Sequence, residues 1–171
     1  MMKNKKHLFI LVVFFLIYSI SGYAQSADVM STLSKNSEQS MFYNAIQKTD
    51  LQNTLKAAGP FTIFAPSNAA FQNLKSALLE FMLKPENKDK LVKLLNNHIV
   101  VGNYDEAKLL MALSSNKNTI TLGTIGGVQI TITNENGILY IKDTQGGKAT
   151  IQKPFVAANN GLIYMIDKVL Q

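Results

Sequence analysis

One histidine and a few carboxylates are the side chains of this sequence that could do chemistry. His98 is the only histidine after residue 24, so any histidine chemistry in that part of the chain must use it. A catalytic histidine needs a nucleophile and an orienting carboxylate, and no G-x-S-x-G motif is present to supply the nucleophile. A metal-binding histidine needs histidine or cysteine companions at ligand spacing. We therefore expect His98 to be buried, with its ring nitrogens hydrogen-bonded to neighbouring backbone.

The carboxylates do not form a clear acid–base pair. Asp105 and Glu106 are adjacent at one predicted helix start, and Glu86 and Asp89 lie near another, where acidic residues favour the helix dipole. Asp167 lies in the segment MIDKVL, where we expect it to bond backbone near the chain end. The segment GTIGG lacks the Lys-Ser/Thr of a phosphate loop. No catalytic, cofactor-binding or metal site is predicted, although a glycan hydrolase stays open because its two carboxylates have no fixed spacing.

The first 24 residues have the pattern of a secretory signal peptide. Three lysines precede a 13-residue apolar stretch, residues 8–20, and Gly22-Tyr23-Ala24 supplies a small-residue cleavage site. The alternative is a retained anchor, but a membrane-spanning helix needs about 20 apolar residues. We expect cleavage before Gln25 and a protein that is secreted, periplasmic or on the cell surface, with no membrane span after cleavage.

The composition of the remaining 147 residues excludes further classes of protein. They carry 14 lysines against 11 acidic residues, and no arginine, tryptophan or cysteine. The missing cysteine excludes thiol catalysis and cysteine metal sites. A nucleic-acid partner is not expected, because such proteins cluster Lys and Arg and use Arg for paired contacts to bases. A chain of this length can form one domain with a sizeable core without disulfides.

The stretch GPFTIFAPSNAAF, residues 59–71, predicts a strand that turns into a helix. Gly59-Pro60 is a turn signal, and residues 61–65 form a short apolar run. Pro66 has no N–H for a strand ladder and ends the run, while Ser67 is suited to cap the next helix. The apolar residues of this corner are expected in the core rather than in a ligand site.

The pattern of the whole chain predicts an α+β domain. Residues 25–36 are small and polar and predict a flexible lead-in, and helical spacing follows from residue 41. From residue 119, β-branched or alternating runs are separated by turns rich in Gly and Asn. The turn at Asn160-Gly161 predicts a closing hairpin. One domain is expected over residues 37–171.

Three segments together resemble the signature segments of the fasciclin domain family: GPFTIFAPSNAAF, LLNNHIVVG and FVAANNGLIYMIDKVL. The resemblance covers residues 37–170. It implies a wedge of two β-sheets with a cluster of short helices on one side, an extracytoplasmic location and a role in adhesion. The positions that match the family pattern, and that we expect to be mainly structural, are Gly59, Phe61, Phe64, Pro66, Ser67, Phe71, His98, Asn160, Gly161 and Asp167.

Three positions depart from the family pattern. Asn97 stands where members commonly carry a tyrosine before the histidine, Phe155 where they often carry an acidic residue, and Tyr164 where a histidine is common. In animal members the Tyr-His pair and nearby acidic residues are implicated in integrin binding, so this activity is not carried over. Asn97, Phe155 and Tyr164 are instead candidates for a different recognition surface.

The resemblance and the absence of a catalytic motif predict a secreted, non-catalytic interaction module. Its expected partner is a cell-envelope protein or a surface glycan, without cofactor, and with weak self-association as a means of avidity. An adhesion role predicts an exposed apolar or aromatic patch. The alternative, a carrier of a small ligand or lipid, predicts an open apolar cavity.

Overall fold

The computed structural model describes residues 27–57, 59–74 and 76–171, so the predicted signal peptide lies outside the described residues. Short helices occupy the first two thirds of this part of the chain. Seven α-helices are described: α1 Val29–Ser34, α2 Ser40–Gln47, α3 Leu51–Lys56, α4 Asn68–Gln72, α5 Ser76–Leu83, α6 Lys88–Asn96 and α7 Glu106–Ser115. Single 3-10 turns at Ser37–Gln39 and Pro85–Asn87 lead into α2 and α6. None of the described helices is long and apolar enough to cross a membrane.

Seven strands are described, and five of them follow α7. Their bounds are β1 Phe61–Pro66, β2 Ile99–Val101, β3 Thr119–Gly123, β4 Gln129–Glu135, β5 Ile138–Lys142, β6 Lys148–Ala158 and β7 Gly161–Ile166. They form one array in the order β2-β1-β7-β6-β5-β4-β3. The pair β1–β7 is parallel, and the remaining pairs are antiparallel.

Strand β6 divides the array into two ladders, as a wedge of two sheets requires. Its first residues pair with β5 and its later residues with β7, with a register shift between Gln152 and Val156. A β-bridge between Val100 and Thr124 brings the two ends of the array together. The predicted fold class, a sheet wedge with clustered short helices, is confirmed.

The core consists of two apolar clusters on opposite faces of β1 and β7. Ile63 and Ile163 lie in the cluster that the helices cover, whereas Phe64 and Tyr164 lie in the cluster enclosed by β4 to β7 and α7. Successive side chains of a strand point to opposite faces, and both faces of these central strands are covered. All six residues of β1 are therefore buried.

The predicted flexible lead-in is wrong for residues 28–36. Asp28 caps α1 by accepting a hydrogen bond from the Ser31 N–H, and Val29, Met30 and Leu33 are buried in the helix-covered cluster. The apolar positions one turn apart give this helix a core-facing side. The segment is short and polar on average, but three of its side chains belong to the core.

Candidate functional site

The strand-to-helix corner is held by the interactions that its sequence predicts. Pro66 is the last residue of β1, and the Ser67 hydroxyl accepts a hydrogen bond from the Ala70 N–H at 3.1 Å. A side chain at Gly59 would collide with the carbonyl of Asn160, and one at Gly161 with the carbonyl of Phe61. The two glycines therefore allow the start of β1 to approach the closing turn. Phe61, Phe64 and Phe71 are buried, as expected.

His98 is fully buried directly after α6, and both ring nitrogens have backbone partners. Nδ1 lies 2.8 Å from the carbonyl oxygen of Leu94, and the Leu170 N–H donates to Nε2 at 2.9 Å. Since Nε2 accepts, the hydrogen of the neutral ring is on Nδ1, which donates to Leu94. The Phe42 ring contacts the imidazole, with ring centres 5.6 Å apart. The structural interpretation of His98 is confirmed, and its partner Leu170 comes from the far end of the chain.

Burial also sets the charge of His98. Desolvation lowers the pKa of the imidazole from 6.5 to about 4, because the charged ring would lose its hydration in the core, although the hydrogen bond to Leu94 and the more distant Asp143 carboxylate oppose this effect. The ring is therefore neutral at pH 7. With both nitrogens occupied and no exposed surface, it has no position free for a proton from a bound molecule.

Asn160 connects three parts of the chain through its side-chain amide. Its Oδ1 accepts from the Val29 N–H at 2.9 Å, and its Nδ2 donates to the carbonyls of Leu55 and Ala57 at 2.8 and 3.0 Å. The predicted closing hairpin is present, and its two turn residues are Asn159 and Asn160, with Gly161 as the first residue of β7. The sequence predicted only the turn, whereas the structure makes Asn160 the link between α1, α3 and β7.

Tyr164 is not a surface residue, and its assignment to a recognition surface is wrong. Its ring is fully buried between Phe64 and Phe155, with ring centres 5.7 and 5.5 Å away. The hydroxyl donates to the carbonyl of Tyr104 at 3.0 Å. Burial, together with the charges of Glu106 and Asp105, raises the pKa of Tyr164 above its usual value. Central position in the array explains the burial, since β7 lies between β1 and β6.

The carboxylates that the sequence singled out serve local structure. Asp167 accepts a hydrogen bond from the Thr150 N–H at 2.6 Å, so the expected backbone role is confirmed. Asp105 caps α7 by accepting from the Lys108 N–H. Glu106 pairs with Lys153 of β6 at 2.6 Å. We call His98, Asn160, Tyr164 and Asp167 the polar anchors, because each joins backbone that is distant in sequence.

Over residues 27–57, 59–74 and 76–171, no three His, Cys, Asp or Glu side chains lie close enough to hold a metal ion.

Two polar residues that sequence reasoning missed hold the helices to the corner. Asn68, the first residue of α4, accepts from the Met41 N–H at 2.9 Å and donates to the Ser37 carbonyl at 2.8 Å. Gln39 is buried and donates to the carbonyl of Ala65 at 3.1 Å. The signal for Asn68 is its place directly after a capping serine, but its partners lie about thirty residues away in the chain. No local pattern identifies them.

The later half of β6 presents apolar side chains at an open edge of the array. Among the described residues, β5 pairs with β6 only from Lys148 to Thr150, so the later half has at most one strand neighbour. Strand β7 pairs with Val156 to Ala158, and residues 153–155 lie in the register shift. We call this part, residues 153–157, the outer β6 surface. Phe155 is half-buried against Tyr164, and Val156 is 45% exposed. Of the three predicted recognition residues, Phe155 lies here, whereas Asn97 lies at the end of α6 and is half-buried.

The three segments, their order and this fold agree with a comparison against protein families: the fasciclin domain model matches residues 37–171. The chain belongs to the fasciclin domain family. Protein sll1483 of the cyanobacterium Synechocystis is 34% identical over 142 residues, which are 83% of this chain and 72% of that protein. Mouse stabilin-2 is 31% identical over 134 residues, but the match spans 75% of this fasciclin chain and only 5% of stabilin-2.

A solved structure supports the fold independently. The FAS1 domain pair of the insect cell adhesion molecule fasciclin I superposes with a TM-score of 0.75 over 85% of this chain and 51% of that one. At 19% identity, this likeness concerns the fold alone. The chain is thus similar to part of an adhesion protein, to a small part of the much longer stabilin-2 and to most of a protein not much longer than itself.

Proposed function

We propose that this fasciclin domain is an exported, non-catalytic binding module that recognises a cell-envelope protein or a surface glycan. One observation carries the proposal. The polar side chains of the family segments make their hydrogen bonds within the molecule. On the outer β6 surface, by contrast, no strand covers Phe155 and Val156. An exposed apolar side chain beside a half-buried aromatic one at a strand edge is suited to a partner.

The edge geometry favours recognition of an extended segment. A strand edge offers backbone donors and acceptors to an added strand, and alternate side chains then supply specificity. Pro154 has no N–H to donate at this edge, and the register shift of β6 bends the strand. Both features are common ways to keep a strand edge from pairing with other copies of the protein. One small surface on one domain gives modest affinity, so dense display or weak self-association would strengthen attachment.

The binding proposal is tested by two matched variants of residues 25–171. Val156 and Ile138 are both β-branched strand residues, 45% and 47% exposed, but Ile138 begins β5, away from the outer β6 surface. Immobilised wild type, Val156→Glu and Ile138→Glu are compared in capture from envelope extract and on a glycan panel. We expect Val156→Glu to bind about tenfold more weakly, as for a central interface residue, and Ile138→Glu to bind like wild type.

Two results would overturn this proposal. Equal binding by Val156→Glu and wild type would remove the outer β6 surface as the site. Hydrolysis of a defined substrate by the purified domain at an enzyme-like rate, lost on mutation of one carboxylate, would replace a binding module with an enzyme.

Export is tested separately by the mass of the natural product. The small-residue site before Gln25 predicts that residues 1–24 are removed. Intact-mass measurement of the protein recovered from culture medium and envelope should give a chain that begins at Gln25. A mass that includes residues 1–24 would make the protein an anchored one.

A further inference from the structure

A groove of about 370 Å³ lies between α5 and α6, on the helical side of the domain. This volume is within the range of about 300–1,000 Å³ that small-molecule sites occupy. The side chains that line the groove are mostly apolar and come from α4, α5, α6 and the segment between α4 and α5. The apolar ones are Phe71, Leu74, Leu78, Met82, Leu91 and Leu94.

Helix α5 leaves more apolar surface in contact with solvent than a helix on a closed core would. Its sequence is SALLEFML, and Phe81 is 40% exposed, while Leu78 and Met82 are half-buried. A surface helix normally keeps its solvent side polar. The groove side of α5, formed by Leu78 and Met82, is an apolar wall that an apolar ligand would cover.

The charged side chains that line the groove, among the described residues, are both lysines. Lys90 and Lys93 of α6 lie three residues apart, which places them on neighbouring positions of one helix face. The ion pairs between described side chains involve Lys88, Lys148 and Lys153, so neither groove lysine has a carboxylate partner among the described residues. Lys90 instead lies over the Phe81 ring, 4.4 Å from its centre.

No acidic side chain of the described residues lines this groove. Its remaining polar groups are the amide side chains of Asn97, Gln145 and Gln171, which can donate hydrogen bonds to an anion. The carboxylate of Asp143 does not line the groove, but it accepts from the backbone N–H groups of Gln145, Gly147 and Gln171 and so lies beside two of the groove residues. An apolar trough with amide donors and two cations at its rim, neither cation having a carboxylate partner among the described residues, is complementary to an anion that carries an apolar tail.

We propose that the α5–α6 groove binds a fatty acid, with the acyl chain along the apolar wall and the carboxylate at Lys90 and Lys93. A protein partner fits less well, since a specific interface covers about 800 Å² on each side and is not confined to one trough. A neutral apolar ligand would leave the two lysines without a role. The proposal goes beyond recognition at the outer β6 surface and does not depend on it.

A second cavity provides an internal comparison. It has a volume of about 440 Å³, lies between α2 and α5, and shares Phe71 with the groove. Met41 and Leu83 line it, and Lys48 is its one cation among the described residues. Of these two cavities, the α5–α6 groove has two cations beside its apolar wall and the second cavity has one, so we assign the fatty acid to the groove.

The first experiment titrates residues 25–171 with fatty acids in monomeric form. Decanoate, undecanoate and laurate should bind with affinities that rise about fourfold per methylene, the transfer free energy of one buried CH₂ group, until the groove is full. Dodecanol and dodecyl-trimethylammonium, which have similar tails, should bind more weakly because they lack the carboxylate. Equal binding of laurate and the cationic amphiphile, or no binding of either, would overturn the proposal.

The position of the ligand is read from methionine methyl groups. Met82 lines the groove, Met41 lines the second cavity, and Met111 is exposed on α7. With ¹³C-methyl methionine, laurate should shift the Met82 resonance and leave Met111 unchanged. A shift at Met41 without one at Met82 would place the ligand in the second cavity and refute the assignment.

Matched lysine variants test the carboxylate contact. Lys93→Gln should weaken laurate about fivefold, as expected for the loss of a partly exposed ion pair, with little effect on dodecanol. Lys48→Gln removes the same charge beside the second cavity and should bind like wild type. Weaker laurate binding by the Lys48→Gln variant, together with unchanged binding by Lys93→Gln, would overturn the proposal. Val156→Glu should bind laurate normally, so that failure of the partner-binding proposal and of this one are distinguished.

Discussion

The polar anchors and the α5–α6 groove use opposite arrangements of polar and apolar groups. At the anchors, polar side chains are directed inward and their hydrogen bonds end on backbone of the same chain. At the groove, apolar side chains are partly uncovered and the cations at the rim have no carboxylate partner among the described residues. Leu94 belongs to both regions, since its carbonyl accepts from His98 and its side chain lines the groove.

This difference means that the polar anchors determine the stability of the fold, whereas the groove determines what can bind. A polar group that is buried with its partner is expensive to disturb, because a change leaves the partner without a hydrogen bond in the core. A cation at an exposed rim is already hydrated, so its removal costs the fold little and changes only what can bind there. Substitutions at the anchors should therefore lower the free energy of unfolding, whereas substitutions at the groove should leave it nearly unchanged.

The largest expected effect is at Tyr164. Tyr164→Ala removes a fully buried ring between Phe64 and Phe155 and should lower the free energy of unfolding by about 3–5 kcal/mol. Tyr164→Phe removes only the hydrogen bond to Tyr104 and should cost about 1 kcal/mol. Chemical denaturation of residues 25–171 measures both. Equal stability of Tyr164→Ala and wild type would contradict the buried position.

The next effect is a pH dependence carried by His98. Its folded pKa of about 4 is below the value of 6.5 in the unfolded chain, so between these values the unfolded state binds more protons. Stability is full above pH 6.5 and should fall by about 3 kcal/mol as the pH drops to 4. The same denaturation series on His98→Gln, whose side chain does not titrate, supplies the control.

The difference between the two pH profiles isolates this histidine from the carboxylates, which are the same in both proteins. His98 is the only histidine after residue 24. Parallel profiles for wild type and His98→Gln would show that the ring is not held neutral in the core.

Replacement of Asn160 should lower the free energy of unfolding moderately and should increase hydrogen exchange mainly in α1. Asn160→Ala removes the acceptor of the Val29 N–H and the donor to Leu55 and Ala57, and should cost about 2 kcal/mol. Hydrogen exchange should rise first in α1, which this side chain holds to the closing turn. Asn53→Ala, an exposed change in α3, should leave both exchange and stability close to wild type. Uniform exchange changes would argue against a specific link to α1.

The smallest expected effect on unfolding is at the groove. Lys93→Gln should change the free energy of unfolding by less than about 0.5 kcal/mol, as exposed substitutions usually do, because Lys93 is exposed and unpaired among the described residues. A loss comparable to that of Asn160→Ala would mean that Lys93 serves the fold, and the contrast between the two regions would fail.

Elements defined by short-range signals could be predicted from the sequence. The cap at Ser67, the end of β1 at Pro66 and the closing turn beside Gly161 depend on residues within a few positions of one another. Strand β6 is less evident from its sequence, because it contains Pro154 and a proline is unusual inside a strand. The structure continues β6 through Pro154, since no β5 residue pairs there and the missing N–H breaks no ladder bond on that side.

The candidate sites were predicted only in part, because exposure depends on which strands become neighbours. Phe155 and Tyr164 are both aromatic departures from the family pattern, but Phe155 is half-buried at an open edge and Tyr164 is fully buried. Their sequence surroundings do not distinguish these outcomes. The α5–α6 groove also gives no sequence signal, since its lining comes from separate helices and from Gln171 at the chain end.

The sequence by itself determined the family, the α+β class and the structural character of the one histidine in the domain. These follow from local patterns and from the lack of catalytic or metal-binding companions. Tertiary structure alone decided that Nε2 of His98 accepts from Leu170, 72 residues away, that Asn160 holds α1, and that two lysines border an open apolar groove. The physical reason is that burial and partner choice are set by packing between distant segments, and no short stretch of sequence contains both members of such a contact.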